Sequence, residues 1–289
     1  MNRGFLIAAT MIAAGLAGVA MLPKQAPPIE SPADYREPVP IETDGLPVQL
    51  EALTWTEVRA LIRAGKTTVI VPTGGTEQNG PHMVLGKHNY VVRHTAEQIA
   101  HRLGNALVAP VLPYVPQGSI EPPEGHMAYS GTISISEDTF ARILDSTARS
   151  LRAHGFTTIA FVGDSGGNQA AQKSVAQALS VEWIGSGVRV LHVSDYYTNN
   201  HQVTRLLAAG ETEASIGSHA GIRDTSELMA VYPDGVRLDR RRPDTDPGMA
   251  WSGVIGDPTR ATAERGEAML RLKVEAAVQE IRRALDVES

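Results

Sequence analysis

Residues 158–180 read TIAFVGDSGGNQAAQKSVAQALS, and their character changes twice. Thr158 to Val162 is a short apolar run of the kind that suits a strand buried on both faces. Glycines at 163, 166 and 167 then break it, and Gln169 to Ser180 has the composition of a helix. A strand that feeds a helix through a Gly-rich loop is half of a parallel crossover unit, and the rest of the chain alternates in the same way. Upstream, Thr54-Trp55-Thr56-Glu57 has capping-box spacing and predicts a helix to about Ala64. Strands follow at Thr67 to Pro72 and Leu107 to Leu112, with a short one at Thr132 to Ile135 and a helix over Tyr90 to Leu103 between the first two. A helix from Glu137 to His154 is closed by Gly155. Downstream come a strand at Val188 to Val193, helices near Val203 to Ala209 and Thr225 to Tyr232, and a long final helix from Thr262 to Leu285. The Glu264, Glu267, Arg271 and Lys273 pattern on that last helix reads as solvated surface. Together these elements predict a three-layer α/β/α sandwich around a mostly parallel sheet. Its ligand site is expected beyond the carboxyl ends of the strands, where the loops from Gly74, Gly163 and Tyr196 emerge.

The motif GDSGG around Ser165 also surrounds the nucleophile of trypsin-like proteases, but those are antiparallel barrels and this segment joins a strand to a helix. The G-x-S-x-G turn of α/β-hydrolases is the compatible version, and makes Ser165 one candidate nucleophile. It would need an acid and a base, for which Asp195 with His201 or His219 are available in chain order.

Composition narrows the chemistry. The 289 residues carry a net charge of -6, which gives no basic footprint for nucleic acid. With no cysteine, there is neither a disulfide framework nor a thiolate metal site. Arg3 followed by the apolar run Gly4 to Ala20 predicts a secretory signal over residues 1–20, with membrane association only if that run stays uncut. The Pro-rich segment 21–50 predicts a tether, and 51–289 the folded domain, exported to the periplasm or beyond.

Five blocks occur in order: PTGGTEQNGPHMVLGKH (Pro72 to His88), HMAYSGTISIS (His126 to Ser136), LRAHGFTTIAFVGDSGGN (Leu151 to Asn168), SHAGIRDTSELMAVYP (Ser218 to Pro233) and GVIGDPTRATAERGE (Gly253 to Glu267). Together they resemble the creatininase family from Thr54 to about Leu285. The resemblance implies an α/β/α sandwich, often a hexamer, and metal-dependent hydrolysis of cyclic or linear amide C–N bonds in a small-molecule substrate. The family's E-Q-H-G-P-H-L-P-L-G-T-D supplies a glutamate, a histidine and a bridging aspartate. Here Glu77 is kept, but Asn79 stands at the histidine and His88 at the aspartate. The family's N-G-H-G-G-N has become Gly163-Asp164-Ser165-Gly166-Gly167-Asn168, and Asp224 stands where H-A-G-x-x-E-T-S has glutamate.

A carboxylate between two divalent ions lowers their mutual repulsion, whereas an imidazole brings no negative charge. His88 therefore argues for one divalent ion, Zn or Mn, with Glu77, His88 and Asp224 as the expected ligands. Catalysis is expected from Glu77, His88, Asp164, Ser165 and Asp224. Asn79, His82, His126, Asn168, His219 and Trp251 are expected at the substrate, although Asn79 also suits loop capping and His82 a packed core histidine. Because so many ligand positions differ at once, a non-catalytic descendant that binds a small molecule or builds a homo-oligomer is the competing expectation.

Overall fold

The computed structural model describes residues 41–244 and 252–286. The expected signal segment, most of the tether, and Trp251 lie outside them. Among the described residues no helix is long and apolar enough to cross a membrane.

The sheet has four parallel strands: β1 (Thr68–Thr73), β2 (Ala106–Val108), β3 (Thr158–Gly163) and β4 (Arg189–His192), in spatial order β2-β1-β3-β4. Val69 sits opposite both Leu107 and Ile159, and Ile159 opposite Val190. Every residue of β1 and β3 is buried, as their apolar sequences require of a sheet covered on both faces.

The period-2 alternation of side chains divides the core in two. Val69, Val71, Ile159 and Phe161 face one layer, made by α1 (Trp55–Arg63), α3 (Glu137–Ala153) and α4 (Gln169–Glu182), where they meet Leu61, Phe140, Leu144 and Leu179. Ile70, Ala160 and Val162 face the other, where α2 (Lys87–Leu103) and α8 (Ala263–Asp286) contribute Val92, Ile99, Val274 and Ile281. Three shorter helices, α5 (Gln202–Ala208), α6 (Glu213–Ile216) and α7 (Ile222–Val231), complete the chain. The Thr54 hydroxyl and the Glu57 carboxylate form the expected capping box at α1.

Four local differences from the sequence expectations matter. Thr132 to Ile135 makes single bridges, Thr76 with Ile133 and Val115 with Ser134, because it crosses the loop layer rather than entering the sheet. The domain starts before residue 51: Val48 is buried, and its carbonyl accepts the Val108 amide at 2.8 Å. Helix α2 begins at Lys87, not Tyr90, which puts Lys87 and His88 in its buried first turn. Finally, Lys273 is buried rather than solvated.

Candidate functional site

The loops after β1, β3 and β4 meet the first turn of α2 at the carboxyl edge of the sheet, around a cavity of about 500 Å³. Glu77, Lys87, His88, His126, Asp164, Ser165, His219, Asp224, Glu227 and Lys273 all line it.

Close backbone approach shapes its floor. A Cβ on Gly167 would lie 2.1 Å from the Pro116 carbonyl oxygen, so only glycine lets the β3 loop pass under that segment. Gly167→Ala is expected to cost about 1–3 kcal/mol by overpacking. A urea or thermal melt checks this, and unchanged stability would mean that the Pro116 segment yields freely.

His88 lies at the centre of the site. Its Nδ1 is 2.7 Å from Asp164 Oδ2 and its Nε2 is 2.8 Å from Glu77 Oε1, so both nitrogens donate to carboxylates and the ring is an imidazolium. Burial and the neighbouring Lys87 push its pKa down, but Glu77 and Asp164 outweigh them and hold it at about 8. Burial alone would raise the Glu77 carboxyl. The charge of His88, with smaller contributions from His126 and His219, instead holds Glu77 at about 2.

From Asp164 the network continues inward. Asp164 Oδ1 accepts from Lys273 Nζ at 2.7 Å and from the Tyr196 hydroxyl at 2.8 Å. Lys273 Nζ also donates to Glu227 Oε2 at 2.9 Å, and Gln202 satisfies the other Glu227 oxygen. On the near side Lys87 Nζ lies 3.0 Å from Asp224 Oδ1, while Asp224 Oδ2 accepts the Ala220 amide at 2.7 Å.

The expected ligand trio is therefore corrected by the geometry. His88 has no free lone pair and Asp224 has both oxygens engaged, whereas a different trio converges: Glu77, His126 and His219 present ligand atoms within 4.8 Å of one another. The Gln78 side-chain amide nitrogen sits between the two rings, 3.0 Å from His126 Nδ1 and 3.1 Å from His219 Nε2. His219 Nε2 also lies 3.0 Å from the Gln78 carbonyl oxygen. Each ring consequently turns its other nitrogen to Glu77, with His126 Nε2 3.9 Å from Oε2 and His219 Nδ1 3.9 Å from Oε1. Burial lowers the pKa of both histidines, that of His219 to about 4, and neutral imidazoles are the form that binds metal.

Two further observations fit a cation at this trio. Glu77 Oε2 is buried without a hydrogen-bond partner, a costly state for a carboxylate oxygen unless a cation meets it. The hydrogen-bonded network also holds four carboxylates (Glu77, Asp164, Asp224, Glu227) against three cations (Lys87, His88, Lys273), an excess of one negative charge within the network, while Arg223 at the cavity wall acts on Asp224 from outside it. The residues present thus suit a divalent ion with His₂Glu ligation: the Gln78 carbonyl accepts from His219 Nε2 and leaves Nδ1 its lone pair, whereas His126 Nε2 gains one only when the Gln78 side-chain amide presents its oxygen, rather than its nitrogen, to Nδ1.

Other expected residues do different work. Asn79 and His82 are completely buried and lie away from the cavity: the Asn79 amide caps the Glu77 carbonyl at 2.8 Å, and His82 Nε2 meets Thr225 Oγ1 at 2.9 Å. Asn168 is likewise structural, since its Nδ2 donates to the Thr73 and Gly74 carbonyls at 3.0 and 2.9 Å and so ties the β1 and β3 loops together. Ser165 lines the cavity, but its hydroxyl partners the Gln117 side chain at 3.3 Å and no imidazole, while Asp195 is engaged by Arg283 and Asn199. Ser165→Ala is expected to keep metal binding and to lower hydrolysis by no more than about tenfold, the worth of one hydrogen bond. Labelling of Ser165 by a phosphonate probe would reverse that assignment.

Lys87 and Glu227 line the site without having been singled out from sequence, and Lys273, read there as solvated surface, lines it too. Lys273 was detectable: residues 269, 270, 273, 274, 277, 278 and 281 form one helical stripe, and each of them is buried. No comparable signal marked Lys87.

A family model described as creatinine amidohydrolase (Creatininase) matches residues 51–281. A mycofactocin precursor peptide peptidase of Mycolicibacterium smegmatis is 30% identical over 225 residues, covering 74% of this chain and 84% of the relative. A creatinine amidohydrolase of Pseudomonas putida is 28% identical over 251 residues, covering 80% and 94%. Among solved structures, one titled "Creatininase Mn" superposes with TM-score 0.68 at 26% identity, over 83% of this chain and 100% of that one. A mutant creatininase described as of Zn-Zn type has the same score and identity, over 83% and 99%.

Proposed function

The chain belongs to the creatininase family, and from that premise we propose that it hydrolyses the C–N bond of a small amide with one divalent ion held by Glu77, His126 and His219. The observation that carries this is the orphaned Glu77 Oε2 facing two neutral imidazoles. Bound there, a zinc or manganese ion would activate water and polarise the substrate carbonyl. The chain's own residues do the rest. Glu77 supplies the anionic ligand, and His88 holds its other oxygen in place. His126 and His219 are oriented by Gln78. Ser165, Gln117 and the Gly166–Gly167 turn line the cavity wall, where they offer hydrogen bonds to the amide. The cavity volume of about 500 Å³ suits a ligand of metabolite or short-peptide size.

The test is metal analysis of the purified protein, followed by chelation and reconstitution with Mn²⁺ or Zn²⁺, against a panel of cyclic amides and short peptides. These substrates correspond to the two activities named for its relatives. One ion per chain with turnover that depends on it is the expected result. Turnover that survives complete chelation would abandon the proposal. The same proposal includes export, on the apolar run at residues 4–20, and self-association. N-terminal sequencing of the mature protein and light scattering check these two points.

A further inference from the structure

Lys87 carries a charge that the ligand set above does not use. Its side chain is 1% exposed, yet it lines the cavity. Nζ has one true acceptor, Asp224 Oδ1 at 3.0 Å. The His88 nitrogens, at 3.0 and 3.2 Å, already have closer partners in the Glu77 and Asp164 carboxylates at 2.8 and 2.7 Å. An ammonium has three protons. Two are therefore left without an acceptor among the described residues, inside a cavity sized for a ligand. A buried donor in that state is costly unless an incoming oxygen completes it.

The local sequence explains how the charge came to be there. The family pattern L-G-T-D corresponds here to Leu85-Gly86-Lys87-His88, so a neutral and an anionic residue are replaced by two cations. That exchange raises the charge of the pair by at least two, as much as a second divalent ion would bring. It also removes the anionic bridge, and the Lys87 ammonium occupies the Asp224 oxygen.

We propose that Lys87 is the resident second cation of this centre: one divalent ion sits at Glu77, His126 and His219, and Lys87 Nζ donates to the oxyanion that forms when water adds to the amide carbonyl. This rests on the single-ion reading of the preceding subsection. A fixed donor aimed at developing charge in a water-poor site needs no reorganisation during the reaction, which is the electrostatic service a second metal would perform.

Titration of the full chain with Mn²⁺ alone, followed by calorimetry and electron paramagnetic resonance, tests it. The unmodified protein is expected to take one ion per chain. Lys87→Met is expected to take one ion about tenfold more tightly, since a nearby positive charge is gone, while its kcat falls. A merely structural lysine would instead weaken Mn²⁺ binding when removed. Lys87→Thr combined with His88→Asp is expected to bind two ions per chain and show a spin-coupled manganese pair. Unchanged or weaker Mn²⁺ binding in Lys87→Met would overturn this inference and leave the hydrolase proposal standing, and two ions in the unmodified protein would overturn it together with the single-ion reading. No Mn²⁺ binding at all would remove both. If the double variant does not fold, the affinity change in Lys87→Met decides alone.

Discussion

Glu77→Gln is expected to lower Mn²⁺ affinity by more than about a hundredfold, since even the loss of a partner behind a metal ligand costs 10–100-fold. Hydrolysis should fall with it. Glutamine keeps the shape and an acceptor at Oε1, so His88 Nε2 can still donate across the present 2.8 Å. What disappears is the negative charge on the orphaned oxygen. The network then changes from an excess of one negative charge to none, and a divalent ion would enter with nothing to neutralise it. Metal content by mass spectrometry and a thermal melt should be read together. Lost metal with a melting temperature close to the original isolates the ligand role. Retained metal would show that Glu77 Oε2 is not what the ion meets.

The fold was legible because it depends on periodicity and spacing. Thr68–Thr73 and Thr158–Gly163 are apolar between their end residues and separated from their neighbours by helix-length segments, so a parallel sheet covered on both faces followed directly. The site was legible only as a neighbourhood. Glu77, His88, Asp164, Ser165 and Asp224 do line one cavity, as their places beyond the strands implied. Their pairing was hidden, because hydrogen-bond partners here are 76, 137 and 141 residues apart. His126 and His219, expected at the substrate, face Glu77 because Gln78 holds the far side of both rings, and no local pattern encodes that. The α2 start was misplaced for a similar reason: Lys87 and His88 enter the helix on the strength of tertiary ion pairs, not helix propensity. The electrostatic argument from sequence stands apart from these details. An imidazole at the bridging position does carry no anionic charge, and the structure adds that it carries a positive one.

The same balance makes Lys273 the position of greatest expected consequence for stability. Its ammonium lies between two fully engaged carboxylates, Asp164 at 2.7 Å and Glu227 at 2.9 Å, and 5.1 Å from the Tyr196 ring centre. Burial opposes the charge, but Asp164 and Glu227 outweigh it and raise the Lys273 pKa well above its ordinary value. Burial likewise opposes the Asp164 charge, and Lys273 with His88 holds that carboxyl well below its ordinary range. In the native protein the Asp164 contribution is therefore complete above the carboxyl's unfolded pKa and is lost only as pH falls through the depressed folded value. Lys273→Met fills the volume but strands two buried carboxylates, and is expected to cost about 3–5 kcal/mol at pH 7. Without the ammonium the Asp164 carboxyl keeps only His88 and the Tyr196 hydroxyl against its burial, so its folded-state pKa rises and protonation costs the variant less than it costs the unmodified protein. The stability gap between Lys273→Met and the unmodified protein should narrow as pH is lowered from 7 towards 5. Adding Glu227→Gln should recover part of the loss, because it removes one of the two stranded charges and the pair is energetically coupled. Urea melts at both pH values measure this. A gap that widens with acid, or a fully additive double variant, would mean that Lys273 contributes packing rather than charge.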